Sequence, residues 1–404
     1  MTKYVVVGNG IAGITTAQMV IPADENAEVH VLGREKYPYY QRPRLWEFIA
    51  GEVEQENLYF RPLDWYAQKG IDIHLDTQVQ ALDPKEHRVV LADGSKVGYD
   101  RLLLATGARA FVPPIAGADK DGVFVLRNLD DALAIKERSG HCMSVAVIGG
   151  GLLGLETARA LQAAGLDVTV IEFAPYLLPR QLDEEGGRTL QAILEEMGLH
   201  FLTGAETEAI LGDDQVTGVR IKGGQVLDCQ MALFSTGIRS RIELPRDAGL
   251  EVNRGVVVDE HLATSAEDVY AAGDVAEFRG ITYGIIPAAI DQARIAAANM
   301  VEPGSATYPG TLRSTTLKIV GVQLTCLGEA IASGEECDII RQTDLQNGVY
   351  QRLAIQNGKV VGAILLGDTK MVRTLKKLIQ SQRDVSGHED VLLETDFDLN
   401  DLVT

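Results

Sequence analysis

Two sets of glycines carry the plainest chemistry in the chain. Gly8, Gly10 and Gly13 follow the apolar run "YVVV", and Gly149, Gly151 and Gly154 follow "VAVI". In a G-x-G-x-x-G of this kind the first glycine lets the chain turn tightly. The second lets a pyrophosphate approach the backbone, and the third lets the next helix pack on the strand. Amide groups at the start of that helix face the phosphates, where unpaired N–H donors and the helix dipole favour negative charge. The second set leads into "DVTVIE", whose Glu172 stands roughly 20 residues past Gly151, where a carboxylate accepts hydrogen bonds from an unsubstituted ribose and repels a 2′-phosphate. No arginine or lysine lies between Phe173 and Pro179 to receive such a phosphate. The second unit is therefore read as an NADH site rather than an NADPH site.

The elements that must position these turns are legible around them. "YVVV" and "AEVHVL" read as parallel strands, the first buried on both faces, with a helical pattern between them. "LLLATGAR" and "ALFSTGIR" are apolar runs closing on Thr-Gly, and each fits a strand that returns past a bound nucleotide, where Gly107 or Gly237 permits close backbone approach. "DVYAAGDVAE" puts a further strand in front of Gly273 and Asp274. Two complete strand, turn and helix units make a purely structural role for the glycines a poor explanation.

Composition narrows the function classes. A chain of 404 residues has room for two to three domains. Its 37 basic and 57 acidic residues give a formal charge of −20, which repels phosphate backbones and anionic lipid, so no nucleic-acid or membrane partner is expected. No uncharged stretch supplies the ~20 apolar residues of a spanning helix. The first strand begins so early that no secretory leader is expected. The cysteines at 142, 229, 326 and 337 include no Cys-x-x-Cys pair. Reduced thiols in a cytoplasmic protein, and no metal site, are the expectation.

With these segments in this order, residues 3 to 300 resemble the flavoprotein pyridine nucleotide-disulfide reductase superfamily. The resemblance implies an α/β fold of two Rossmann-like domains, FAD-binding and NAD-binding, in the glutathione-reductase-like arrangement, plus an α+β C-terminal domain. It implies a discontinuous FAD domain at 1–112 and 246–308, an NAD domain at 113–245 and an interface domain at 309–404. "VPPIAG" and "RIELPRDAG" fit the paired crossings, and "MVRTLKKLIQSQ" in the tail is helical in period. By the same resemblance FAD would be held by Gly8, Gly10, Ile11, Ala12, Gly13, Val79, Ala105, Thr106, Gly107 and Arg109, with Gly273 and Asp274 at its ribityl chain. The helix beginning near Pro287 would aim its positive end at the flavin. NADH would lie along Gly149, Gly151, Leu152, Leu153 and Gly154, with Glu172 and Gly237.

The active site is defined by a missing residue. Disulfide reductases carry one or two cysteines on the helix after the second strand, whereas residues 34–51 read "REKYPYYQRPRLWEFIAG". "YYQRPRLWE" instead resembles the stretch found in NADH:rubredoxin oxidoreductases and in the flavin domain of the nitrite reductase large subunit. That match takes Arg42 to the FAD pyrophosphate or the isoalloxazine edge. The acid that normally closes the second strand is replaced by Gly33-Arg34-Glu35, so either Glu35 reaches the ribose or water does. Glu156 stands where many relatives place a glutamate paired with a lysine near the flavin and is the catalytic candidate. Glu47 occupies the position where ferredoxin reductases have the lysine. Lys318 is either a substitute cation or a solvated strand residue.

The resulting expectation is an FAD-dependent NADH oxidoreductase, monomeric or homodimeric, passing electrons to a small carrier such as rubredoxin without a redox cysteine. The alternatives are an electron-input subunit of a nitrite reductase-like system, an NADH oxidase or diaphorase that makes peroxide, and a flavin-bearing sensor without useful turnover.

Overall fold

The apolar runs that end in glycine become the central strands of two parallel sheets. A computed structural model describes residues 1–319, 321–334, 337–394, 397 and 399–402. These divide into two units, one built from Met1–Arg44, Glu54–Arg109 and Ile238–Thr311, the other from Leu45–Val53, Ala110–Gly237 and Leu312–Thr404.

In the first unit Thr2–Val7 lies at the middle of a five-stranded sheet, with Ala27–Leu32 and then Ile71–His74 on one side, and Arg101–Leu104 and then Val269–Ala271 on the other. All four pairings are parallel, and Val7 is level with both Leu32 and Leu104. The chain leaves Val7 toward one neighbour and later returns on the opposite side, so the Gly8 turn sits at a topological switch point, where open α/β sheets bind ligands. Val5, Val6, Leu102, Leu103 and Leu104 are essentially inaccessible, which explains why these strands show no polar alternation. The helix Ile11–Ala23 packs along Ile286–Val301 through small residues. The Cβ atoms of Ala12 and Ala289 both border Gly273, and one turn later Thr16 Oγ1 donates to the Ala293 carbonyl at 3.2 Å. The two helices therefore run in the same direction, and both begin at the same end of the unit.

The second unit repeats the plan. Ser144–Ile148 is flanked by Asp167–Glu172 and His200–Thr203 on one side, and by Met231–Phe234 and Val123–Val125 on the other, again all parallel. A separate antiparallel sheet runs in the order 314–319, 322–328, 359–366, 349–356, 337–344. The helix Val372–Ser381 buries Leu375 and Leu378 in a cluster with Leu327, Leu353 and Leu365 from that sheet. Leu45–Ile49 also belongs here. Leu45, Phe48 and Ile49 are buried, the segment packs on the helices Leu129–Ser139 and Leu152–Ala163, and Lys136 Nζ lies 4.1 Å from the centre of the Phe48 ring. Among the described residues no helix is long and apolar enough to cross a membrane.

The glycines of the first turn do separable jobs. A Cβ on Gly13 would lie 2.0 Å from the Gly8 carbonyl oxygen, whereas a Cβ on Gly10 meets nothing within 4 Å. Gly13→Ala is expected to cost about 2–3 kcal/mol in urea unfolding, because backbone must shift. Gly10→Ala, at a helix N-cap with ordinary φ, should stay within about 1 kcal/mol of the parent. Equal costs for the two variants would show that the close approach does not constrain the fold.

Candidate active site

The first glycine turn is built from backbone contacts. Gly8 takes φ +123°, its N–H donates to Leu32 O at 2.9 Å, and an added Cβ would stand 2.1 Å from Ala105 O. Gly10 caps the helix at Ile11 without any side-chain hydrogen bond, and its open side leaves room at the orphan N–H groups. Ala12 and Gly13 are buried behind it. Ala105 donates to Val7 O at 2.9 Å, and Gly107, at φ +67°, accepts from Arg241 N at 3.0 Å. Gly273 donates to Gln292 Oε1 at 2.8 Å, the Asp274 carbonyl accepts from Ser240 Oγ, and Pro287 occupies the first turn of Ile286–Val301. The structure thus gathers the Gly8 turn and Gly273 through the Ala12 contact. Val79 sits at the edge of the core and pairs with Leu91, and Arg109 is exposed and ion-paired with Glu243.

The loop after the second strand is tied to this turn by residues the sequence did not single out. Asn9, inside the glycine motif, accepts at Oδ1 from Tyr66 Oη at 2.9 Å, and Tyr66 Oη accepts from Tyr39 N at 2.9 Å. Tyr66 is fully buried. A polar residue between two essential glycines is the only signal that could have pointed to it. Glu35 and Arg42 come together: Arg42 donates to Glu35 Oε1 at 2.5 Å, Tyr40 donates to Oε2 at 2.5 Å, and the Arg42 guanidinium lies over the Tyr40 ring.

The second turn reproduces the first. Gly149 has φ +114° and its Cβ direction ends 2.4 Å from Ser235 O; that of Gly154 ends 2.1 Å from Gly149 O; that of Gly151 is open. Gly151 caps the helix Leu152–Ala163, again with no side-chain hydrogen bond, and Leu153 is partly exposed beside it. Glu172 turns back on the loop, accepting from Gly150 N and Ala174 N, each at 2.7 Å. Gly237, at φ +101°, is held by Phe111 N donating to its carbonyl.

Glu156, one turn into the same helix, is only 9 % exposed. Its Oε1 accepts from the backbone N–H of Lys318 at 2.9 Å, so this neighbour acts mainly through its main chain. Burial pushes the carboxyl up to about 7. The Lys318 N–H and ammonium pull it down, and the charge of Glu47 adds to the rise. Cys142, Cys229 and Cys326 are buried, and burial raises all three thiols, Cys229 to about 11 and Cys326 to about 12.

A parallel sheet with a glycine turn at its switch point, occurring twice, defines a dinucleotide-binding protein. The chain belongs to the pyridine nucleotide-disulphide oxidoreductase family, whose model matches residues 2–298, and residues 314–383 match the rubredoxin NAD+ reductase C-terminal domain. It is 37 % identical to a nitrite reductase [NAD(P)H] of Bacillus subtilis over 95 % of this chain but 48 % of that protein. It is 29 % identical to an NADH-rubredoxin oxidoreductase of Clostridium acetobutylicum, with 95 % of each chain covered. The solved covalent complex of putidaredoxin reductase with putidaredoxin superposes with a TM-score of 0.91 at 27 % identity, covering 100 % of this chain and 98 % of that one. The chain spans about half the length of the nitrite and nitrate reductase relatives.

FAD and NADH are the cofactors of this family. The residues present fit those groups: both middle glycines are open where a pyrophosphate needs backbone contact, and both helix starts offer uncapped N–H donors.

The raised carboxyl of Glu156 has a thermodynamic consequence. Between pH 4.5 and about 7 the folded chain retains a proton that the unfolded chain has released, so stability falls as pH rises through that window. Glu156→Gln should remove this loss, up to roughly 3 kcal/mol, while a side-chain carbonyl can still accept the Lys318 N–H. Urea melts at pH 5 and pH 8 measure it; identical pH slopes for parent and variant would refute the assignment.

Proposed function

We propose that this chain is an NADH-dependent flavoprotein reductase that delivers electrons to a small one-electron carrier protein such as rubredoxin, with no thiol in the path. The carrying observation is the state of the sulfur: no cysteine stands in residues 34–51, and three of the four thiols are buried and held protonated. The match of residues 314–383 to the rubredoxin reductase C-terminal domain favours this acceptor class. Similarity to nitrite reductase over half its length favours a second reading, an electron-input subunit of such a system. The cytoplasm is the proposed location, and 1–112 with 246–308, 113–245 and 309–404 are the proposed domains.

FAD, when bound, takes electrons in pairs and releases them singly. The chain's own residues bind and orient. Gly8, Gly10 and Gly13 let the backbone carry the FAD pyrophosphate, with Ile11 and Ala12 beginning the helix whose N–H groups face it. Ala105, Thr106, Gly107 and Val79 line the same cofactor, Gly273 and Asp274 hold its ribityl chain, and the helix starting near Pro287 supplies a positive end. Arg42, fixed by Glu35, neutralises phosphate charge. Arg109, ion-paired with Glu243, is the least committed member of the set. On the NADH side Gly149, Gly151 and Gly154 carry the pyrophosphate, with Leu152, Leu153 and Gly237 around them, and Glu172 meets the ribose. Glu156 holds a proton near neutral pH at its Oε atoms.

Two outcomes test this reading. Glu172→Gln should lower the NADH over NADPH preference in kcat/KM about tenfold, equivalent to ~1.4 kcal/mol, by removing the charge that repels a 2′-phosphate; an unchanged ratio would remove Glu172 from the discrimination. In stopped flow, reduced protein should be reoxidised faster by rubredoxin than by air. Charge reversal of the exposed Lys376 and Lys377 on Val372–Ser381 should slow the rubredoxin step alone. Faster oxidation by air in the parent would count for an oxidase instead.

A further inference from the structure

The edge of the first unit's sheet gathers four side chains that the redox chemistry does not use. Ile71–His74 is the edge strand and pairs in parallel with Ala27–Leu32, with His30 opposite Asp72 and Leu32 opposite His74. Residues two apart on a strand share a face, so Glu28, His30, Asp72 and His74 all project to one side. Their donor atoms converge. His30 Nδ1 and His74 Nε2 each lie 3.0 Å from Asp72 Oδ2, and 3.3 Å from one another.

We propose that His30, Asp72 and His74 form a binding site for a divalent transition-metal ion of the zinc class, with Glu28 holding His30 in the liganding tautomer. Bonds of about 2.0–2.1 Å in a tetrahedral centre place ligand atoms roughly 3.3–3.4 Å apart, so the three atoms need to open by only a few tenths of an ångström to admit the ion. The second layer is already in place. His30 Nε2 lies 2.6 Å from Glu28 Oε1, and Lys3 Nζ holds the same oxygen at 3.2 Å. A carboxylate on Nε2 keeps the proton there and leaves the Nδ1 lone pair facing Asp72 and His74, which is the carboxylate, histidine and metal relation of built sites.

A divalent cation among these atoms would offset the charges of two carboxylates at once. Two imidazoles and one carboxylate select zinc, cobalt, nickel or copper over magnesium and calcium, which prefer all-oxygen shells. The side chains of Asp72 and His74 are 57 % and 42 % exposed, giving the ion an entry path and leaving its fourth position to water. The competing account is a stacked histidine pair, ring centroids 5.6 Å apart, stabilised by carboxylates alone.

Titration calorimetry of the chelator-treated, flavin-loaded full chain with Zn2+ separates the two. One saturable Zn2+ per chain is expected, lost in His74→Gln and in Asp72→Asn. Both are surface substitutions whose fold is checked by the flavin spectrum. Glu28→Gln should weaken binding about 10–100-fold without removing a ligand, a response that simple surface adsorption does not give. His200→Asn, altering a different exposed histidine and carboxylate pair, should leave the isotherm unchanged. Absence of one-to-one binding in the parent, or binding that survives both His74→Gln and Asp72→Asn, would overturn the site.

Discussion

A methyl group on residue 13 would stand 2.0 Å from the Gly8 carbonyl oxygen, and one on residue 154 would stand 2.1 Å from that of Gly149. Backbone lies directly on backbone in both turns, and everything that binds or positions a nucleotide here depends on it. Because the helix start approaches so closely, its N–H groups reach the mouth of the sheet rather than ending behind side chains. The returning strand is drawn into the same contact, since Gly8 and Gly149 have no space for a side chain beside Ala105 and Ser235. Thr106-Gly107 and Thr236-Gly237 follow immediately, so the glycine turn and the Thr-Gly turn form one backbone surface in each unit.

That construction explains what could be read from residues alone. Glycine spacing, apolar runs and the acid at 172 are local signals, and each turned into the element it implied: both parallel sheets, both helices after the turns, and the helix in the tail. Contacts across long separations carried no such signal. Nothing near Asn9 announces Tyr66, and nothing near Glu156 announces the Lys318 N–H, since a main-chain donor has no residue identity to recognise. Glu35 and Arg42 were legible as separate candidates, yet their ion pair depends on the fold of the loop between them. The packing of Leu45–Ile49 with the second unit was equally hidden, because chain order places it beside the first. The His30, Asp72 and His74 cluster lies on two strands about forty residues apart and follows no ligand spacing, so no sequence motif announces it.

Electrostatics at Glu156 shows which effect wins when two oppose. It lies on a helix whose N-terminal end carries positive partial charge, and a helix terminus is worth about 0.3–1 kcal/mol to a nearby anion, fading within the first turn. A rise from 4.5 to about 7 corresponds to roughly 3 kcal/mol in the other direction. Burial therefore outweighs the helix, and the charge of the acid at 47 adds to the rise. The consequence is a group half protonated near neutrality, able either to donate or to accept a hydrogen bond.

Such a group changes what the missing cysteine means. In disulfide reductases sulfur stores two electrons and a proton beside the flavin, so the protein itself is a redox participant. Here Cys142, Cys229 and Cys326 are buried and burial raises all three, and among the described residues the strongly perturbed acid with a value near neutral pH is Glu156. On the proposed reading, electron storage rests with the cofactor and proton storage with the carboxyl. These two capacities are separable in a carrier reductase, whose acceptors take electrons singly and need no proton from the enzyme. They are coupled in a peroxide-forming oxidase, where each dioxygen reduced takes up two electrons and two protons. A single half-charged carboxyl, held by one backbone N–H and shielded from water, suits the first demand better than the second.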